Sequence, residues 1–324
     1  MRIAVTGSIA TDHLMSYPGR FTDQLVADRL EQVSLSFLVD ELEVRRGGIA
    51  GNITFGLGKL GVTSTLVGAV GQDFNDYRAW LDRHGVDTES VHVSETKHTA
   101  RFLCTTDTDL NQIASFYAGA MAEAREIELK PVAERLGGLD IVVISANDPE
   151  AMVRHTEECR DRGYDFLADP GQQLARMEGD DIRKLVDGAQ YLFTNEYEHG
   201  LLLQSTGWTK DDVLGRVGKW VTSLGAKGVQ VEAKGEPTLL VEPPKEKQKG
   251  DPTGVGDALR AGFLAGLEGG LDLERSLQLG CTLATVSLET DGPQEYDVER
   301  DSFLARIAEA YGDEAAAEVG PKLR

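Results

Sequence analysis

Apolar residues fall along this chain in short continuous runs, separated by longer stretches where they recur every three or four positions. The runs cover residues 3–9, 65–70, 140–146, 165–168 and 191–194. Continuous rather than alternating runs are what strands buried on both faces require. Between them, residues 52–60, 73–84, 149–162 and 181–186 carry helical spacing, and two further helices are predicted over 255–267 and 273–288. The Ala- and Glu-rich tail, 309–324, predicts a terminal helix. Strands alternating with helices predict βαβ units, so an α/β fold with a mostly parallel central sheet flanked by helices.

Two stretches break this rhythm. Residues 35–44 (LSFLVDELEV) and 99–117 (TARFLCTTDTDLNQIASFY) alternate as strands do, with no helix between, and the second predicts a hairpin turning at 107–110. Such strands fit poorly into a helix-covered parallel sheet. They predict a small separate β-layer, a lid drawn from about 14–46 and 98–118; the pattern equally allows an antiparallel edge of the main sheet. With no internal repeat, residues 1–324 read as one domain with this appendage.

Composition narrows the function classes. Apolar residues make up 41% of the chain, enough for a large core, but the formal net charge is −21. A nucleic-acid binder needs a basic face, and no Lys/Arg cluster supplies one; anionic membrane surfaces are disfavoured for the same reason. A phosphorylated ligand must therefore be met by local devices: backbone amides, a helix N-terminus or bound Mg²⁺. The three cysteines, Cys104, Cys159 and Cys281, are far apart and lack CxxC spacing, so neither a disulfide framework nor a zinc site is expected. The six histidines are scattered. The first apolar run is too short for a signal peptide, and a cytoplasmic protein is expected.

The densest chemistry lies in Gly250-Asp251-Pro252-Thr253-Gly254-Val255-Gly256-Asp257, directly before a helical stretch. A glycine-rich turn at a helix start presents unpaired N–H groups to an anion such as a phosphoryl group. A carboxylate there suits poorly as a phosphate ligand and well as a base taking a proton from an attacking hydroxyl. The plainer alternative, that Thr253 or Asp257 only caps a helix, would suffice for an isolated Gly-Asp pair. Two glycines, a Thr and two acids in one turn favour chemistry. Three weaker motifs accompany it. In Arg46-Gly47-Gly48-Ile49-Ala50-Gly51-Asn52, Gly48 and Asn52 are four apart and share a face if a helix starts there. Gly48 would let a sugar approach the backbone, and Asn52 can both donate to and accept from hydroxyls. Asp12, in Gly7-Ser8-Ile9-Ala10-Thr11-Asp12 after the first strand, could accept from a vicinal diol, or be an ordinary turn residue. Asn195-Glu196-Tyr197-Glu198 follows another strand and is a common pattern when taken by itself.

These elements together resemble the PfkB, or ribokinase-like, family of carbohydrate kinases, and they run in that family's order from Ser8 to Asp257. The segment around Asp257 is similar to the signature D-T-x-G-A-G-D, with Pro252 and Val255 as departures. The resemblance implies that Asp257 is the catalytic base and that the amides of Gly254, Val255 and Gly256 form the anion hole. It implies that Gly48, Asn52 and Asp12 hold the sugar, and that Asn195 and Glu198 act through water and Mg²⁺ beside the phosphates. Residues 221–228 (VTSLGAKG) resemble the family's nucleotide loop, which would place Ser223, Gly225 and Gly228 against ATP. No Walker A pattern is present. Many members also need a monovalent cation such as K⁺, for which the sequence offers no identifiable ligands.

Longer stretches, among them AVTGSIATDHL, SLSFLVDEL, TARFLCTTD, QIASFY and FTNEYE, resemble the ribokinase-type bacterial adenosine kinases. That likeness implies ATP-dependent phosphorylation of adenosine at its 5′-hydroxyl, with Ser8, Ser36, Phe102, Phe116, Gln172 and Gln173 completing the acceptor site. It also implies a homodimer through the lid. A purine needs flat apolar walls, and Phe102 and Phe116 lie on opposite arms of the predicted hairpin; as lid core they would need no ligand at all. Other acceptors (ribose, inosine, guanosine or a fructose phosphate) and a catalytically silent nucleoside-binding protein are the rival readings. A dinucleotide-binding dehydrogenase is disfavoured because no GxGxxG follows the first strand.

Overall fold

The computed structural model describes residues 1–24 and 35–323. In chain order its first half comprises β1 (Ile3–Thr6), β2 (Ala10–Ser16), a single turn α1 (Phe21–Gln24), β3 (Glu41–Gly47), α2 (Ile49–Lys59), β4 (Thr65–Val70), α3 (Asn75–Arg83), β5 (Val91–Val93), β6 (Ala100–Thr106), β7 (Gln112–Tyr117), α4 (Leu129–Leu136), β8 (Ile141–Ser145) and α5 (Pro149–Arg162). There follow β9 (Phe166–Asp169), α6 (Gly179–Val186), β10 (Tyr191–Asn195), α7 (Glu196–Thr206), α8 (Lys210–Leu214), β11 (Lys219–Ser223), β12 (Val229–Glu232), β13 (Leu239–Val241), α9 (Val255–Glu268), α10 (Leu273–Leu288), α11 (Arg300–Tyr311) and α12 (Asp313–Val319).

The main sheet has the order β13-β12-β11-β10-β9-β8-β1-β4-β5. It is parallel from β11 to β5, while β12 and β13 join by antiparallel pairing. Alternate residues of each strand face opposite sides, and both sides are apolar. Ile3, Val5, Ile141, Val143 and Phe193 enter one core with α2, α3 and α9 to α12. Ala4, Val142, Ile144, Leu192 and Trp220 enter the other with α4 to α8. The chain runs outward from β1 to β4 and β5, then returns to β8 on the other flank of β1. The carboxyl ends of β1 and β8 therefore form a topological switch point, where open α/β sheets bind their ligands.

A second sheet, ordered β3-β2-β6-β7, stands apart as the lid. The separate layer is thus realised rather than the edge. Its strands differ from expectation. The run predicted over 3–9 ends at Thr6, and a further strand, β2, was hidden in the motif that follows. The strand predicted over 35–44 starts only at Glu41, because its partner β2 stops at Ser16, two residues before Pro18. Phe37 instead packs its ring 5.0 Å from those of both Tyr17 and Phe21. The part of the expected lid over 25–34 lies outside the described residues. The lid is rooted in the core side by side: Ala10 pairs with Gly47 on one flank and Ala100 on the other, and Ala50 N donates to Ser8 O (3.1 Å). Among the described residues no helix is long and apolar enough to cross a membrane.

His155 ties α5 to β1. Its ring is fully buried; one nitrogen lies 3.1 Å from Ile127 O and the other 2.8 Å from Thr6 Oγ1. Nε2–H donates to the carbonyl and Nδ1 accepts from the hydroxyl, so the neutral ring satisfies both partners. Burial pushes the His155 pKa down to about 4. Stability from this group is complete above the unfolded value and is lost as pH falls from about 6.5 towards about 4. Urea unfolding across that window should show a loss approaching about 3 kcal/mol in excess of the His155→Gln variant, whose profile should be flatter.

Candidate active site

The start of α9 stands between two clefts. Gly254 and Asp257 line the first, a cavity of about 1020 Å³ at the switch point under the lid. Val255 and Gly256 line the second, of about 550 Å³, together with Ser223, Gly225 and Gly228. A four-residue turn therefore faces two compartments, one walled by the lid and one by the loops after β11 and β13. Gly254 makes this possible: it takes φ 81°, and a Cβ there would lie 2.3 Å from Pro293 Cβ. The N–H of Val255 turns back weakly to Pro252 O (3.3 Å), whereas those of Gly256 and Asp257 lie in the first helical turn, beyond intrahelical acceptors. Asp251 also lines the first cleft, but its carboxylate is engaged, accepting from Thr253 N (2.9 Å) and pairing with Arg45 of β3 (3.1 Å).

Asp257 is half-buried on the floor of the first cleft. Asn52 Nδ2 donates to its Oδ2 at 2.8 Å. Burial pushes the carboxyl up to about 7, against the opposing pull of Asn52 and Arg260, with Asp169 adding repulsion. Arg260, one turn further along α9, pairs with buried Asp169 at the end of β9 (2.5 Å) and donates to Gly256 O (2.8 Å). Its guanidinium lies 5.1 Å from the centre of the Phe193 ring. Neither Arg260 nor Asp169 was singled out from the sequence; the position of Asp169 at a strand's carboxyl end is the signal that was available.

The other expected residues fall into three groups. Ser8, Asp12, Gly48, Asn52, Phe102, Phe116, Gln172 and Gln173 all line the first cleft. Asp12 lies inside lid strand β2 rather than in a turn, and burial raises its pKa to about 6 although Arg45 opposes the rise. Ser8 Oγ accepts from Ile49 N (3.1 Å), and Gln173 Nε2 donates to Asn147 O (2.6 Å). Gly48, at φ 87°, could not carry a Cβ, which would come within 2.6 Å of Ser8 O and Ala10 N. Ser36 is exposed and does not line the cleft. Asn195 and Glu198 line neither cleft: each side chain accepts from the other's N–H at 2.8 Å, the reciprocal cap that starts α7. Glu198 is nonetheless held above its ordinary pKa by burial, with Asp169 nearby. Among the described residues no group of three or more His, Cys, Asp or Glu side chains could hold a metal without a ligand's help.

Breaking the Arg260–Asp169 pair should leave one buried charge uncompensated. Arg260→Met is expected to cost about 3–5 kcal/mol, and adding Asp169→Asn should restore part of it, as read from a urea double-mutant cycle.

Comparison with known proteins agrees with this geometry. Residues 6–300 match the model of the pfkB family carbohydrate kinases. The nucleoside kinase of Methanocaldococcus jannaschii is 28% identical over 311 residues, covering 94% of this chain and 96% of that one. The structure of Burkholderia thailandensis nucleoside kinase in complex with inosine superposes with a TM-score of 0.82 at 32% identity, covering 96% of this chain and 98% of that one. Its complex with ADP-inosine gives a TM-score of 0.81, covering 96% of each chain. With the α/β sheet, the separate lid and the turn before α9 all in place, the chain belongs to the PfkB family of carbohydrate kinases.

Proposed function

We propose that the protein transfers the γ-phosphoryl group of ATP to the 5′-hydroxyl of a purine nucleoside, adenosine foremost. The observation that carries this reading is a row across the lid. Arg45 pairs with Asp12, Asp12 with Phe102, and Phe102 with Phe116, one residue per strand, and all four line the first cleft. A carboxylate able to accept from a ribose diol thus stands beside two aromatic rings able to stack a base. A plain sugar would use only the first half of that row.

The mechanism follows from the turn between the clefts. The nucleoside lies in the first cleft with its ribose against Asp12, Gly48 and Asn52 and its base against Phe102 and Phe116, with Ser8, Gln172 and Gln173 along the wall. ATP lies in the second, bordered by Ser223, Gly225 and Gly228. Asp257 takes the proton of the 5′-hydroxyl, while the N–H groups and dipole of α9 around Gly254 to Gly256 meet the charge on the transferred group. Glu198 and Asn195 would reach through water a Mg²⁺ bound with ATP, and that ion would supply charge neutralisation at the phosphates. One oxygen of Glu198 is already taken by the Asn195 N–H. A monovalent cation such as K⁺ belongs to this reading without assigned ligands. The inosine complex of the Burkholderia relative supports a second acceptor, inosine, on the same row.

The lid's other face supports a homodimer. Leu42 and Val44 of β3 and Ile113 and Tyr117 of β7 point away from the cleft and are exposed, at 58%, 54%, 46% and 43%. A sheet face so apolar is a natural cover for a second copy. Val44→Glu should shift the mass in sedimentation towards a monomer; an unchanged mass would reject the lid as the contact.

The function itself is tested by ADP release with Mg-ATP against adenosine, inosine, guanosine, ribose and fructose 6-phosphate. Adenosine should be turned over best, and Asp257→Asn should lose about 10²–10⁴-fold or more. Because the base must be ionised, kcat/KM should rise with pH through about 7. Ribose as the best acceptor would return Phe102 and Phe116 to lid packing. An Asp257→Asn variant of full activity would support a site without that base.

A further inference from the structure

Gln294 lies in the segment between α10 and α11 and is 1% exposed. Its side-chain amide makes three hydrogen bonds, and two of its partners bond onward. Trp80 Nε1 donates to its oxygen (3.1 Å). Its nitrogen donates to Asn52 Oδ1 (2.9 Å) and to Tyr77 Oη (2.5 Å). Tyr77 Oη in turn donates to Gly47 O (2.9 Å), and Asn52 Nδ2 donates to Asp257 Oδ2 (2.8 Å).

An amide can be turned end for end with little change of shape, so what fixes its sense is its partners. Two of them act on Gln294, and they demand the same sense. An indole N–H can only donate, so it must meet the oxygen. The Tyr77 proton is committed to a backbone carbonyl, so towards Gln294 that hydroxyl can only accept. Gln294 therefore presents N–H to Asn52, Asn52 must answer with its oxygen, and its NH₂ is left facing the carboxylate. A reversed Asn52 would set a carbonyl oxygen against Asp257.

We infer that Gln294 is a positioning residue for the phosphoryl-transfer base: keyed by Trp80 and Tyr77, it fixes Asn52 as a hydrogen-bond donor to Asp257. The inference rests on Asp257 being that base. Its physical effect is to favour the ionised carboxylate in a place where burial disfavours it. The charged groups around Asp257 are Arg260 on its own helix and Asp169 at the end of β9. Tyr77 from α3 and Tyr296 beyond α10 also sense its charge, and burial pushes both hydroxyls far up, so they stay neutral. Cutting the amide chain at Gln294 removes one bond to Tyr77 but leaves the Arg260–Asp169 pair in place. The chain also ends at the root of the lid, since Gly47 is the last residue of β3.

The test is kcat/KM for the best acceptor against pH, over about pH 5.5 to about 9, for the full chain and the variants Gln294→Met and Trp80→Phe. Gln294→Met keeps the length and shape but leaves Asn52 free to turn. Its acid limb should move to higher pH by about one unit, a roughly tenfold loss below the limb, with the alkaline plateau held within about threefold. Trp80→Phe removes only the N–H that sets the sense of Gln294 and should shift the limb the same way by less. Loss of packing alone would lower the whole profile without moving the limb. Should Gln294→Met fail to fold, Trp80→Phe decides alone. An unmoved limb in folded variants, with Asp257→Asn inactive, overturns the positioning role and spares the base; a fully active Asp257→Asn removes both.

Discussion

The buried ion pair between Arg260 and Asp169 is the constraint on which the rest of the site depends. It joins the second turn of α9 to the carboxyl end of β9, and the same guanidinium holds the Gly256 carbonyl one turn back. A helix start is otherwise a loosely held thing, because its first N–H groups have nothing to bond. Here the turn is fixed from beneath by a charge pair and from the side by Phe263, whose ring packs 5.3 Å from Phe193. Taking two charges out of water is costly, so such a pair is better understood as specifying a position than as a source of stability.

Electrostatics organises the same region in a second way. The chain carries a formal net charge of −21, yet its cleft must admit ATP. The acids nearest the chemistry are each dealt with locally. Asp169 is paired, Asp251 is spent on Arg45 and the Thr253 amide, and Asp12 and Asp257 are raised towards neutrality by burial. The floor of the clefts is therefore less anionic than the composition suggests. Two carboxylates of one cleft are thereby set apart, one on a lid strand and the other in the first turn of α9.

Much of this was legible in the sequence for physical reasons. Strands buried on both faces leave continuous apolar runs, so the parallel sheet could be read, and α5 and α10 were placed to the residue. The turn before α9 was conspicuous because anion binding at a helix start needs glycine and a nearby acid in one place. What escaped notice depended on neighbours distant in sequence. Strand β2 looks like part of a loop until β3 and β6 flank it. Asn195 and Glu198 read as ligand-handling residues, while their bond to each other is a local cap that spacing alone could equally have suggested. Gln294 has no motif at all; only the fold brings it between Trp80 and Asn52. Ser36 lies in a stretch where resemblance supplied the expectation and the cleft does not reach it.

The rooting of the lid sets one line about which a tilt of it would turn. Ala10, Gly47 and Ala100 lie abreast in one paired row where the sheet meets the core, and that row is the line. Displacement then grows with distance from the line, at about 3.3 Å of strand per residue. Asp12 and Phe102 stand two residues out, about 7 Å, whereas Thr106 and Gln112 at the tip stand about 20 Å out. In such a tilt the tip would sweep roughly three times as far as the row of Asp12 and Phe102. A tilt of the lid would thus move the row of Asp12 and Phe102 little while moving the mouth of the cleft far.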